Sequence, residues 1–135
     1  LAALIASQVA PFAGAPGQLA VSGPTILVPV ELTTQLALVI HEMACNASKY
    51  GALTTPSGHI DVSWSLGPDV LHVRWQESGG PPAREPPVVG FGSRLLTRTV
   101  RHLQRSFDER GLTCQFELPW LEALSETRVV AADAT

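Results

Sequence analysis

The chain has 135 residues, of which 45% are hydrophobic, and this is enough for one domain around a single core. Its formal net charge of −3 provides no broad basic surface, which argues against nucleic acid as the main partner. No apolar run approaches the roughly 20 residues that cross a membrane, so we expect no membrane contact. The chain does not begin with Met, and we expect it to be part of a longer protein.

Short apolar segments make up the N-terminal part of the chain. Leu1–Val9 is typical of a short helix that ends near Pro11. Two short strands are predicted next, Gln18–Ser22 and Ile26–Val30, separated by a Gly-Pro pair that breaks regular structure.

A long helix follows, from about Glu31 to Tyr50. Gly51 stands where a residue in the left-handed conformation would end this helix. Apolar side chains recur along it at the spacing of one helical face. They are Leu32, Leu36, Val39, Ile40, Met43, Ala44 and Ala47.

Alternating apolar and polar residues then predict a β-hairpin, because successive side chains of a strand point to opposite faces. Its turn is Gly67–Asp69, and the apolar sides of its strands are Ile60, Val62 and Trp64, and Leu71, Val73 and Trp75. The Gly- and Pro-rich stretch Ser78–Gly92 is predicted to be a loop. Ser93 can cap a helix from about Arg94 to Leu103.

Two further strands complete the predicted fold. The first contains Phe107, and a turn at Glu109–Gly111 leads into the second, whose inward side chains are Leu112, Cys114, Phe116 and Leu118. Helices interspersed with hairpin strands predict an α+β fold, a two-layer sandwich whose mixed, mostly antiparallel sheet is covered by helices on one face. Residues 1–120 would form this domain, and residues 121–135 a poorly ordered tail.

The two cysteines, Cys45 and Cys114, fall on the predicted buried helix and on a predicted core strand. We expect them to be reduced packing residues rather than a disulfide. This fits a cytoplasmic protein.

Polar side chains on one face of the long helix form the first candidate site. Glu42, Asn46 and Lys49 follow one another at intervals of four and three residues, so they share a face, with Tyr50 beside them. The carboxylate can polarise an attacking group, the amide oxygen can bind a hard cation, and the chain's only lysine can offset phosphate charge. The set suits a magnesium-bound phosphate chain. The alternative is a solvent-facing stripe on a half-buried helix.

The second candidate segment lies at the end of a core strand and includes Trp75, Glu77, Gly79 and Gly80. A carboxylate there can accept a hydrogen bond from an exocyclic amine such as that of adenine, and the glycines let a flat ring approach the backbone closely. The alternative is a strand-ending turn with a solvated acid, in which Trp75 is a core residue.

The third segment is a glycine loop that opens a helix, formed by Gly90, Phe91, Gly92, Ser93 and Arg94. Free N–H groups and the positive end of the helix dipole would favour a phosphate here. Taken alone, such a segment is more often an ordinary loop than a phosphate site.

The histidines favour a structural interpretation. His41 would be a packing residue, and His59 and His72 lie on strands without an evident partner in the sequence. His41 and Cys45 could share a helix face as zinc ligands, but no third ligand follows at a recognisable spacing, so we expect no zinc. The Walker and Rossmann patterns of nucleotide binding are also missing.

Together, the three segments resemble the boxes of the ATP-binding domain of sensor histidine kinases, and the match is closest to the HWE subgroup. The motifs are His-Glu-x-x-x-Asn-Ala-x-Lys-Tyr-Gly-Ala-Leu at 41–53, Trp-x-Glu-Ser-Gly-Gly-Pro at 75–81 and Gly-Phe-Gly-Ser-Arg-Leu-Leu at 90–96. His41 and the pair Trp75 and Glu77 correspond to the residues for which the subgroup is named. The resemblance covers about residues 1–120, and the three boxes together are highly specific.

This resemblance implies the GHKL (Bergerat) ATPase fold, with ATP and Mg²⁺ as cofactors. It assigns Asn46 to magnesium and Glu42 to activation at the γ-phosphate, with contact to the metal through water. Lys49 and Tyr50 would lie at the phosphate and ribose. Glu77 would take the place of the usual aspartate that holds the adenine amine, with the glycine at 79 beside it.

The same resemblance implies that Gly90, Gly92, Ser93 and Arg94 close over the phosphates and that Pro82–Val89 is a short ATP lid. The activity would be transfer of the γ-phosphoryl group to a histidine on a dimerisation domain, for onward transfer to a response regulator. No histidine precedes position 41, so we expect the phosphoacceptor domain to lie outside this chain.

One departure from the family concerns Arg101–Phe107, which replaces the usual Leu-Gly-Gly-type turn and makes the following strand less certain than the pocket. The alternative function is a degenerate, non-catalytic module of the same fold that binds a partner protein.

Overall fold

The computed structural model describes residues 1–85, 94 and 97–120. Its elements in chain order are helix α1 (Ala2–Val9), strand β1 (Leu19–Ser22), helix α2 (Val30–Tyr50), and strands β2 (His59–Leu66), β3 (Val70–Ser78), β4 (Arg101–Asp108) and β5 (Gly111–Pro119). Two short 3-10 turns, Ala10–Phe12 and Ala52–Thr54, follow the two helices. The predicted tail, residues 121–135, lies outside the described part of the chain.

The five strands form one mixed sheet in the order β1-β2-β3-β5-β4. β1 runs parallel to β2, and the other three neighbouring pairs are antiparallel. The predicted hairpin of β2 and β3 is confirmed, and its register places Val62 opposite Trp75. On the other side of β3, Trp75 lies opposite Cys114. The sheet is therefore the α+β sheet that the sequence predicts.

Helices α1 and α2 cover one face of the sheet, because each buries an apolar stripe against it. All seven apolar side chains predicted along α2 are buried. The fully buried residues of the shared core include Ile5, Val9, Leu36, Val39, Ile40, Ile60, Val62, Leu71, Trp75, Cys114, Phe116 and Leu118. In the described part of the chain, no helix combines the length and the apolar character that a membrane span needs.

The predicted strand at Ile26–Val30 is wrong. Residues 23–29 lie outside any strand, and Val30 is the first residue of α2. The Ile26 carbonyl accepts a hydrogen bond from the N-terminal amine of Leu1 at 3.0 Å, and the Pro29 carbonyl caps the first turn of α2. The apolar residues of this segment suggest a strand, but it carries the chain from the sheet to the helix layer and has no strand to pair with.

Gly51 does not adopt the predicted left-handed conformation. Its φ and ψ are −122° and −144°, and its N–H still donates to the Ala47 carbonyl at 3.1 Å. A Cβ atom at this position would overlap a carboxylate oxygen of Glu77. Glycine is favoured here by the position of the Glu77 carboxylate rather than by a helix-ending turn.

The predicted helix from Arg94 to Leu103 is too long at its C-terminal end. Arg94 and residues 97–99 are helical, but β4 begins at Arg101. Pairing with β5 extends this segment, with an irregularity between Arg101 and Gln104 at which His102 takes a φ of 53°. Tertiary pairing therefore overrides the helical pattern. The predicted strand around position 107 and the turn after it are confirmed.

We predict opposite outcomes for two glycine substitutions. A Cβ on Gly58 would overlap the Ala52 carbonyl oxygen, whereas a Cβ on Gly14 would meet no atom within 4 Å. Gly58→Ala should therefore lower the free energy of unfolding by about 2 kcal/mol or more. Gly14→Ala should stay within about 0.5 kcal/mol of the parent. Urea unfolding of both variants checks this, and equal stabilities would contradict the close packing at Gly58.

Candidate functional site

The centre of the candidate site is Glu77, near the C-terminal end of β3. Strand alternation places Glu77 and Trp75 on the face of the sheet that the helices cover. Glu77 is only 4% exposed, and Trp75 is completely buried. The interpretation of Glu77 as a solvated acid in a turn is therefore wrong.

Each carboxylate oxygen of Glu77 accepts one hydrogen bond from the protein. The backbone N–H of Ala52, just after α2, donates to Oε1 at 3.0 Å. The indole N–H of Trp75 donates to Oε2 at 2.9 Å. Burial raises the pKa of Glu77 above its ordinary value of 4.5, while these two hydrogen bonds lower the pKa and so favour the ionised form. A carboxylate has about four acceptor positions, so each oxygen retains capacity for a ligand.

Glycines after Glu77 bring β3 close to the segment that follows α2. The Gly79 carbonyl accepts hydrogen bonds from the Thr55 hydroxyl at 3.2 Å and the Ser57 hydroxyl at 3.1 Å. Gly79 has a φ of 74°, which side chains rarely adopt, and a Cβ on Gly80 would lie 2.7 Å from the Ala52 Cα. Backbone of two separate segments thus forms one wall beside the Glu77 carboxylate.

The polar row of α2 flanks the buried stripe of that helix. Glu42 and Asn46 are half-buried, and Lys49 and Tyr50 are exposed on the last turn. With a rise of 1.5 Å per residue, the row from Glu42 to Lys49 extends about 10 Å along the helix axis. Its C-terminal end is next to the Ala52–Glu77 hydrogen bond. The structure therefore places the first two candidate segments side by side.

The structure describes only part of the third candidate segment. Arg94 is helical and exposed, while Gly90, Phe91, Gly92 and Ser93 lie outside the described residues. The predicted lid, Pro82–Val89, is described as far as residue 85. In that part, the Ala83 N–H donates to the Asp108 carbonyl at 2.8 Å.

The donor chemistry of α2 fits magnesium better than zinc. Glu42 and Asn46 provide two oxygen ligands on one helix face, and Mg²⁺ bound to a nucleotide takes its remaining ligands from phosphate and water. Among residues 1–85, 94 and 97–120, no three His, Cys, Asp or Glu side chains cluster as metal ligands. His41 instead packs its ring edge-on against Phe12, with ring centroids 5.3 Å apart.

Several contacts of the site and its sheet are not predicted by the sequence pattern. The polar contact of Trp75 was not foreseen, although the Trp-x-Glu spacing places both side chains on one strand face. The backbone donor of Ala52 carries no sequence signal. His59 and His72 do have partners: the His59 ring contacts the Gly17 carbonyl and Asp61, and that of His72 contacts Glu117 at 3.2 Å.

Comparison with known proteins identifies relatives of this chain. A blue-light-activated histidine kinase of Rhizobium johnstonii is 35% identical over 123 residues, which cover 86% of this chain and 35% of that protein. A blue-light-activated histidine kinase of Brucella ovis is 40% identical over 98 residues, covering 69% of this chain and 20% of that protein. The chain thus spans about a third or less of the length of these relatives. No protein-family model matches it.

Solved structures with the same fold are histidine kinase domains. The histidine kinase domain of the Erythrobacter litoralis EL346 blue-light activated histidine kinase has a TM-score of 0.70 and 19% identity, over 88% of this chain and 58% of that one. The catalytic domain of histidine kinase ThkA has a TM-score of 0.61 and 17% identity, over 87% and 92%. ThkA has also been solved in complex with the response regulator TrrA.

We predict that Glu77→Gln changes how stability depends on pH. In the folded chain the pKa of Glu77 is raised above 4.5, the ordinary value that the unfolded chain retains. Between these two pKa values the folded chain binds more protons, so lowering the pH stabilises it. The parent should therefore gain stability relative to Glu77→Gln as the pH falls from 7 towards 4.5, measured by urea unfolding. Exposed Glu85 supplies the control, since Glu85→Gln should follow the parent throughout. A constant difference between parent and Glu77→Gln would contradict the prediction.

Proposed function

We propose that this chain, which belongs to the histidine kinases by sequence and has the fold of their catalytic domains, binds Mg-ATP for phosphoryl transfer to histidine. The observation that carries the proposal is the pairing of a buried, hydrogen-bonded carboxylate, Glu77, with the polar row of α2 at the same end of the molecule. The two features provide a base-recognition end and a phosphate-recognition end on adjacent elements.

At the base end, Glu77 is the group that recognises adenine. An ionised carboxylate can only accept hydrogen bonds, so it can bind the exocyclic amine of adenine. It would repel the carbonyl oxygen that guanine carries at the same ring position. The wall formed by Gly79, Gly80 and Ala52 has no bulky side chain, which suits a flat ring lying close to the backbone.

At the phosphate end, Asn46 would hold Mg²⁺ and Glu42 would contact it through water. The metal supplies charge neutralisation between the phosphates. Lys49 is exposed on the same face and offsets the charge of the phosphate chain, with Tyr50 towards the ribose. Glu42 also orients the attacking group at the γ-phosphate. The loop that closes over the phosphates would be formed by Gly90, Phe91, Gly92, Ser93 and Arg94.

The acceptor of the phosphoryl group would be a histidine of a dimerisation domain outside these 135 residues, and the next acceptor an aspartate of a response regulator. The response-regulator complex of ThkA, a structural neighbour, supports this partner class. Positioning and charge stabilisation would provide most of the catalysis, as is general for phosphoryl transfer. We place the reaction in the cytoplasm.

We predict that Asn46→Ala removes the magnesium-dependent part of nucleotide affinity. Calorimetry with the non-hydrolysable analogue AMP-PNP should show tighter binding by the parent in Mg²⁺ than in EDTA. The variant should lose roughly tenfold or more in Mg²⁺, because loss of even an outer-shell metal partner costs about that much. In EDTA the two proteins should bind alike. Exposed Gln35 on the same helix gives the control, since Gln35→Ala should bind like the parent.

An Asn46→Ala protein with unchanged magnesium dependence would refute the assigned role. A folded parent that shows no affinity for AMP-PNP would refute the kinase proposal itself and favour a module that binds a partner protein. Equal affinity of the parent for ATP and GTP would instead count against Glu77 as the adenine-recognition group.

A further inference from the structure

Trp75 carries an indole N–H that the packing of the core does not require. Its side chain is completely buried in the sheet, and its indole N–H donates to Oε2 of Glu77 at 2.9 Å. A phenylalanine would fill much of the same space without an N–H group. The indole therefore stabilises the carboxylate as well as filling the core.

The two donors to Glu77 act from different sides of the site. Ala52 belongs to the chain that leaves α2, and Trp75 belongs to the same strand as Glu77. With one donor on each oxygen, rotation of the carboxylate about its terminal bond would break both hydrogen bonds. The carboxylate plane, which contains the remaining acceptor positions, is therefore held in one orientation.

We propose that Trp75 is a positioning residue for nucleotide recognition, whose indole N–H holds the ionised Glu77 carboxylate in the orientation that accepts the adenine amine. The inference rests on the proposed function, in which Glu77 contacts the base. It adds a residue that touches no part of the nucleotide but sets the charge and orientation of the group that does.

In the described part of the chain, these two donors are the groups that lower the pKa of Glu77 and so stabilise its ionised form. Opposite it on β2 is apolar Ile60, and from β5 the nearby titratable group is the Cys114 thiol. Burial raises the pKa of Cys114 to about 11, with Arg105 of β4 lowering it and Glu77 raising it, so the thiol is neutral at physiological pH. Lys49 of α2 is exposed to solvent. Removing the indole N–H should therefore raise the pKa of Glu77 further.

The test compares Trp75→Phe with a matched control in the same sheet. Trp64 is also buried, and its indole N–H donates to the Pro24 carbonyl at 2.8 Å, away from Glu77. Both substitutions remove one indole hydrogen bond and reduce the core by a similar volume. Only Trp75→Phe should affect the carboxylate.

Two readouts are measured on the parent and on both variants. AMP-PNP affinity in Mg²⁺ should fall roughly tenfold or more in Trp75→Phe, together with a loss of preference for adenine over guanine nucleotides. The Glu77 carboxyl resonance, followed by NMR without nucleotide, should titrate at higher pH in Trp75→Phe, and the pH below which affinity declines should rise with it. Trp64→Phe should match the parent in the titration and in selectivity.

A second variant covers the case in which Trp75→Phe does not fold. Site-specific replacement of Trp75 by β-(3-benzothienyl)alanine preserves the shape of the indole and exchanges its N–H for sulfur. It should reproduce both changes without a packing defect. Circular dichroism and thermal unfolding confirm that each protein compared is folded.

The outcomes separate the inference from the function on which it rests. A parent that does not bind AMP-PNP overturns the proposed function, and the positioning role with it. A parent that binds, with a benzothienyl or Phe variant of equal affinity and an unmoved Glu77 titration, overturns only the role of Trp75. Equal losses in the Trp75 and Trp64 variants with no shift in titration would identify a packing role and overturn the inference as well.

Discussion

The hydrogen-bonded carboxylate of Glu77 is the interaction on which the rest of the site depends. A buried charge is unfavourable unless donors replace its lost hydration, and here the Ala52 N–H and the Trp75 indole do so. Because one donor follows α2 and the other lies on β3, satisfying the charge also fixes the end of the helix against the end of the strand. The same contact favours glycine at position 51, because a Cβ there would displace the carboxylate oxygen of Glu77.

The contact between Glu77 and the end of α2 sets the order of the groups in the proposed site along this helix. The helix carries Glu42 and Asn46 before Lys49, and its C-terminal end meets Glu77, so a nucleotide bound with its base at Glu77 would extend its phosphates back along the helix. Helix α2 is held by its buried apolar stripe, and the polar row occupies a flank of that stripe. Residues of the row can therefore serve a ligand without interrupting the core. A rigid helix would also keep the phosphates of a bound nucleotide at a set distance from its base, so the proposed catalysis would come mainly from positioning.

Periodic patterns in the sequence predict the helices and strands that bury one face. They fail where strand pairing determines the secondary structure of a segment. The helix ending at Tyr50 and the hairpin of β2 and β3 are predicted well, since each repeats its pattern over many residues. The segment Ile26–Val30 and the start of β4 at Arg101 are predicted wrongly, because the first lacks a strand to pair with and the second acquires one from β5. Such pairings are tertiary, so composition alone does not contain them.

The same limit applies inside the site. The resemblance to a known family selects both Trp75 and Glu77 as candidates, but it does not show whether the tryptophan makes a polar contact or only packs in the core. Its role depends on the direction of one N–H group, which burial and alternation leave undetermined. The Ala52 donor is harder still to predict from the sequence, because nearly every residue type carries a backbone N–H. In the proposed site, recognition of the base would therefore depend on three groups: the Glu77 side chain, which the sequence indicates, the Trp75 indole, whose polar contact the sequence does not show, and the Ala52 N–H, which only the fold supplies.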